Sequence, residues 1–119
     1  MVDNAEQDYS SAIAKNSSYY LNFLKRGVFR YKQGKTADGI SDIRLSHRLL
    51  PTVFSYYYLG NHALRSQNYQ IAETYLRTAA NSSSAVREEA RAALQSLLLE
   101  QKPERFLETA LSRTDRGIL

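Results

Sequence analysis

The chain has 119 residues with no cysteine, two prolines, five glycines and a formal charge of +4. That length bounds it to one domain. The lack of cysteine excludes a disulfide framework, a thiolate zinc site and a cysteine nucleophile, and so mild a positive charge does not by itself point to nucleic acid or a lipid surface. No apolar run approaches the roughly 18 residues of a membrane span, and the polar first stretch carries no signal-peptide core. The default expectation is a cytoplasmic protein.

Apolar residues recur at helical spacing almost throughout. The pattern predicts seven helices, over about 3–16, 19–33, 36–49, 53–66, 69–81, 85–101 and 103–114. Gly34, after the second, suits a left-handed C-cap, and Pro51 ends the third. In the fourth, Tyr56, Leu59, Gly60 and Ala63 form one stripe; Ser66, Gln67 and Asn68 then break the pattern. Ala72, Leu76 and Ala79 form the fifth stripe, and Asn81 to Ser84 offer N-cap side chains for the sixth helix. Ala90, Ala93, Leu94 and Leu97 line the sixth; Phe106, Leu107, Ala110 and Leu111 line the seventh, with Pro103 in its first turn.

The pattern repeats. Laid on the preceding helix pair, Gly60 falls on Gly27, Ala72 on Gly39, Leu76 on Ile43 and Ala79 on Ser46. One helix pair earlier again, Gly39 falls on Ala5 and Ser46 on Ala12. The small residues let helix backbones approach closely, and a large residue at Gly60 or Ala72 is expected to overpack at a cost of about 1–3 kcal/mol.

With Tyr56, Leu59-Gly60, Tyr69, Ala72, Leu76 and Ala79 in one unit, and Phe23, Gly27, Gly39, Ile43, Ser46 and Pro51 in the one before, the chain resembles the tetratricopeptide repeat family. It departs at Arg26, where the family has Leu, at Arg30 and Ala63, where it has Tyr, and at Ser84, where it has Pro. The resemblance implies an all-α fold in which antiparallel helix pairs stack as a right-handed α-solenoid. One domain, 1–119, would hold a half unit at 3–17 and units at about 20–52, 53–85 and 86–116. The half unit and the apolar end at Ile118 and Leu119 lead us to expect a piece of a longer polypeptide. Those residues with Leu107 and Leu111 would be able to pair two copies.

The resemblance also implies a concave groove lined by the first helix of each unit, which binds a partner segment. Its lining would be Leu21, Lys25, Val28 and Lys32, then Tyr57, Tyr58, Asn61 and Arg65, then Glu88, Arg91, Gln95 and Leu98. Tyr57, Asn61 and Arg65 stand at i, i+4 and i+8, on one helix face. Tyrosine supplies contact area, asparagine pairs with a peptide backbone, and cations favour acidic groups. Leu24 and Val28 stand where a family carboxylate clamp would need polar residues in the preceding unit. Tyr56 belongs to the packing stripe, and Tyr19 and Tyr20 are expected to pack between units.

No catalytic constellation is visible. His47 and His62 lie on separate helices without metal-ligand spacing, and no phosphate-cradling glycine loop or G-x-S-x-G is present. We therefore expect no enzyme activity, metal or cofactor. Asn16-Ser-Ser and Asn81-Ser-Ser fit a glycosylation pattern but read as helix-end chemistry. The leading expectation is a protein–protein interaction module holding a protein or peptide partner, acidic in character. The alternatives are a structural segment within a larger enzyme or assembly factor and a nucleic-acid-binding helical repeat.

Overall fold

The computed structural model describes residues 2–101, which form α-helices and no strand. The helices are α1 (Val2–Lys15), α2 (Tyr20–Lys32), α3 (Thr36–Leu49), α4 (Val53–Arg65), α5 (Tyr69–Ala80) and α6 (Arg87–Gln101). The helix expected over 103–114 lies outside the described residues, as do Pro103, Phe106, Leu107, Ala110, Leu111, Ile118 and Leu119. Six of the seven predicted helices are therefore seen, with ends within about two residues of expectation.

Each helix packs on the next in the chain, most densely within the pairs α2–α3 and α4–α5, and α4 also reaches α6. The turns inside those two pairs are so short that the helices must run antiparallel. Both turns have the same construction. Gly34 adopts φ +86°; its N–H donates to Tyr31 O at 3.1 Å, and the Lys35 N–H donates to Arg30 O at 2.9 Å. Gln67 adopts φ +62°; its N–H donates to Leu64 O at 3.0 Å, and the Asn68 N–H donates to Ala63 O at 2.8 Å. This is one C-capping arrangement made twice, at equivalent positions of successive helix pairs. Only the first copy has the glycine that the left-handed conformation favours.

Between the pairs, Leu50 is extended at φ −157° ahead of Pro51, as a residue before proline prefers. Thr52 then caps α4. Its Oγ1 accepts from Ser55 N at 3.1 Å while Ser55 Oγ accepts from Thr52 N at 3.0 Å, a reciprocal box that satisfies two helix-end donors. The sixth helix begins at Arg87 rather than near Ala85. The serines before it bond locally instead of extending it: Ser82 Oγ donates to Ala79 O at 2.6 Å, and Ser84 Oγ accepts from Val86 N at 3.3 Å. At the other predicted helix end, Asn16 Oδ1 accepts from the Ser18 N–H and hydroxyl at 3.2 and 3.0 Å.

The core runs along the helix seams. Leu24, Ile40, Ile43 and Leu59 join α2, α3 and α4; Ala63, Ala72, Leu76 and Leu97 join α4, α5 and α6; Ala79, Ala80 and Ala90 close the far end. Glycines decide how near α2 and α3 come. A Cβ on Gly39 would meet Tyr31 N at 2.6 Å and Gly27 O at 2.7 Å, which is backbone against backbone. A Cβ on Gly60 would meet Leu76 Cγ at 3.0 Å and Tyr75 Cβ at 3.1 Å, side chains rather than backbone and a less close approach. The α4–α5 seam accordingly accepts Ala72 where α3 has Gly39.

Arg26 and Arg30, which depart from the repeat pattern, form an ion network. Arg26 Nε and Nη2 donate to the two oxygens of buried Asp42 at 2.7 and 2.8 Å. Arg30 Nη1 reaches Asp42 Oδ2 at 3.2 Å, and Arg30 Nε reaches Glu6 Oε1 at 2.8 Å. Lys35 Nζ holds the other Glu6 oxygen at 2.8 Å. The network ties α1 and α3 to α2. No described helix is long and apolar enough to cross a membrane.

Candidate functional site

The face of α2 bearing Leu24, Val28 and Tyr31 meets the face of α4 bearing Phe54, Tyr58 and Asn61. In both helices these residues are spaced i, i+4, i+7, one side of the cylinder. Between them lies a cavity of about 430 Å³ lined by Tyr9, Leu24, Lys25, Val28, Phe29, Lys32, Phe54 and Tyr58. It therefore gathers Lys25, Val28, Lys32 and Tyr58 of the predicted lining. Leu24, Val28, Phe29 and Phe54 give it apolar walls, and Phe54 is 41% exposed. Lys25 and Lys32 are exposed and make no ion pair among the described residues. Among the described residues no acidic side chain lines the cavity.

Beside it stands a connected aromatic and polar cluster. Tyr31 and Tyr58 pack edge to face at 5.9 Å, and Tyr57 and Tyr58 at 5.0 Å. Asn61 Nδ2 donates to Tyr31 Oη at 3.3 Å, and the Arg65 guanidinium lies 5.6 Å from the Tyr31 ring centre, within cation–π range. Tyr31 thus links Tyr58, Asn61 and Arg65. The expected groove lining does not include it. Its signal is its i+3 and i+7 offset from Val28 and Leu24, which shares their face.

Tyr57 has a different place from the one expected. It is half-buried, packing on the Ala63–Leu97 cluster and on the Ala79–Ala90 cluster, and burial pushes its phenol above the ordinary value. It forms a wall of the site, while Tyr58 lines the cavity. The nearby acid that also raises it is Glu89, not Glu88. Leu21 and Leu98 likewise pack against the core.

Arg91 and Gln95 are exposed on α6, and no hydrogen bond, ion pair or ring contact joins them to this cluster; Arg91 Nη1 instead donates to Glu88 Oε1 at 3.4 Å. Tyr19 and Tyr20 pack edge to face on each other at 5.5 Å. Tyr19 is 43% exposed because it is the N-cap residue of α2, outside the packed turn.

The histidines lie elsewhere. His47 Nδ1 shares a 2.7 Å hydrogen bond with Ser55 Oγ and packs against Tyr56 at 4.7 Å. His62 stands at a second cavity between α3, α4 and α5. Burial lowers both imidazoles below their ordinary value, and for His62 the charges of Arg44 and Arg65 add to the effect. Among the described residues no three His, Asp or Glu side chains gather as a metal would require.

No protein-family model matches the chain, and neither a curated protein nor a solved structure matches it.

Proposed function

We propose that the chain is a tetratricopeptide-like helical repeat, wound as a right-handed α-solenoid, that serves as a protein–protein interaction module. Its groove receives an acidic, partly apolar segment of a partner protein. The observation that carries this reading is the apolar cavity walled by Leu24, Val28, Phe54 and Tyr58, with Lys25 and Lys32, which pair with no acid among the described residues, in its lining. A buried apolar anchor supplies most of the affinity of such contacts, and unpaired rim cations select acidic neighbours. Tyr57, Asn61 and Arg65 of α4 and Tyr31 of α2 extend the same surface. Two structural observations support the repeat reading. The capping turn at Gly34 recurs at Gln67, and packing runs mainly between successive helices. Arg26, Arg30, Arg77 and Arg91 are engaged by acids, which weighs against a nucleic-acid stripe.

The test is selection from a random peptide library on the immobilised protein. Recovered peptides are expected to carry an apolar residue flanked by Asp or Glu. A Lys25→Glu, Lys32→Glu variant should reverse the charge preference, and Asn61→Ala with Arg65→Glu should weaken retention. Peptides without acidic bias, or retained equally by the variants, overturn the reading.

A further inference from the structure

The second cavity, of about 460 Å³, lies between α3, α4 and α5. It uses another side of α4. At about 100° per residue, Leu59 and Ala63 stand on a different face of that helix from Tyr57, Asn61 and Arg65, and His62 stands at the border between the two faces. Arg44 and Arg48, one turn apart on α3, line it together with His62 from α4 and Ile71 and Tyr75 from α5. No acidic residue lines it, and neither arginine enters an ion pair among the described residues. His47 also faces it, but its Nδ1 is occupied by Ser55.

The charge pattern is that of an anion site with an apolar seat. Two guanidiniums offer fork-shaped donor sets that match phosphate or carboxylate oxygens. Leu59, Ile71 and the Tyr75 ring in the same lining offer apolar and aromatic surface. A volume of this size falls within the range of small-molecule pockets, roughly 300–1,000 Å³. Two fixed positive charges and a titratable imidazole are better balanced by a dianion than by a carboxylate.

We propose that this cleft binds a small phosphate monoester, its phosphate held by Arg44, Arg48 and His62 and its apolar body resting on Leu59, Ile71 and Tyr75. Burial, Arg44 of α3 and Arg65 of its own helix act on His62, and the other titratable groups in the lining are Arg48 and His47 of α3 and Tyr75 of α5. Burial and the charges of Arg44 and Arg65 hold the imidazole below its ordinary value, disfavouring a further cation in the cleft. A bound dianion reverses that field, so binding takes up a proton at His62.

The probe is phenyl phosphate, titrated calorimetrically at pH 7.0 in buffers of different ionisation enthalpy. We expect it to bind at least tenfold more tightly than inorganic phosphate, with phenol not binding. Arg44→Gln and Arg48→Gln, both at exposed positions, should each weaken it at least fivefold at unchanged helicity. His62→Asn should abolish the buffer-dependent proton uptake. Equal binding of phenol and phenyl phosphate, or affinity unchanged in both arginine variants, overturns the site. A phosphotyrosine peptide that binds more tightly than phenyl phosphate overturns the small-molecule assignment.

Discussion

The Arg26 guanidinium grips the Asp42 carboxylate with two parallel hydrogen bonds, 2.7 and 2.8 Å long. Asp42 is 5% exposed, and its bond to Arg26 is the main reason the guanidinium's pKa is raised. The pair bridges α2 and α3 where the repeat family has a leucine. Removing one member of a buried pair strands the other, at a cost of about 3–5 kcal/mol. Asp42→Ala is therefore expected to lose stability on that scale in urea unfolding. The double variant Arg26→Leu, Asp42→Ala should recover at least half of the loss, because Arg30 keeps Glu6 as a partner. A double variant as unstable as the single one would show that the network contributes more than desolvation relief.

Ser46 is fully buried, and its hydroxyl has no hydrogen-bond partner among the described residues. The equivalent position of the next helix pair is alanine, the equally buried Ala79. An unsatisfied buried hydroxyl costs about 1–3 kcal/mol. Ser46→Ala should raise the midpoint of thermal unfolding, by about 1 kcal/mol in free energy. A lower midpoint would mean that the hydroxyl has a partner.

Gln67 holds a left-handed conformation that Gly34 adopts in the matching turn. An L-residue gives up roughly 1–2 kcal/mol there, part of which glycine returns to the unfolded chain as entropy. Gln67→Gly should thus stabilise by about 0.5–1 kcal/mol. The reverse substitution, Gly34→Gln, should destabilise by a similar amount, measured by urea titration of both.

His47 and His62 have folded-state pKa values below the ordinary imidazole value. The unfolded chain therefore binds more protons at mildly acidic pH. The histidine contribution is whole above about pH 6.5 and is lost as the pH falls through the folded-state values. Glu6 adds a second loss at lower pH. Its hydrogen bonds to Lys35 and then Arg30 depress its carboxyl pKa, so its contribution is present above the ordinary carboxyl value and fades as the pH falls below it. Thermal midpoints should fall between pH 7.5 and 5.5, and His47→Asn with His62→Asn should flatten that slope. An unchanged slope in the double variant would assign the loss to other groups.

What the sequence determined by itself is local. Apolar spacing of three and four placed the six described helices; Gly34 and Pro51 marked two of the breaks; and the match of Gly27, Gly39 and Ile43 to Gly60, Ala72 and Leu76 located the closest helix seams. Such signals act within a few residues or repeat along the chain, so a pattern of letters carries them. That Lys25, Val28 and Lys32 share a side of α2 was legible for the same reason, since a helix face follows from spacing; that Tyr58 of α4 joins them around one cavity was not.

The tertiary structure alone decided which distant groups meet. Arg26 and Arg30 read as departures from a repeat until α3 brought Asp42, and α1 brought Glu6, to their side chains. Tyr31 and Asn61 stand on different helices, far apart in the chain, yet share a hydrogen bond; Tyr57 turned toward α6 while Tyr58 turned toward α2. The Ser82–Ser84 turn moved the start of α6, and Arg91 and Gln95 ended outside the tyrosine cluster. Ion pairs, ring contacts and buried hydroxyls depend on how helices are rotated and spaced against one another. That geometry comes from packing the whole core, with glycines at Gly27 and Gly39 setting the closest approach, and no short stretch of sequence encodes it.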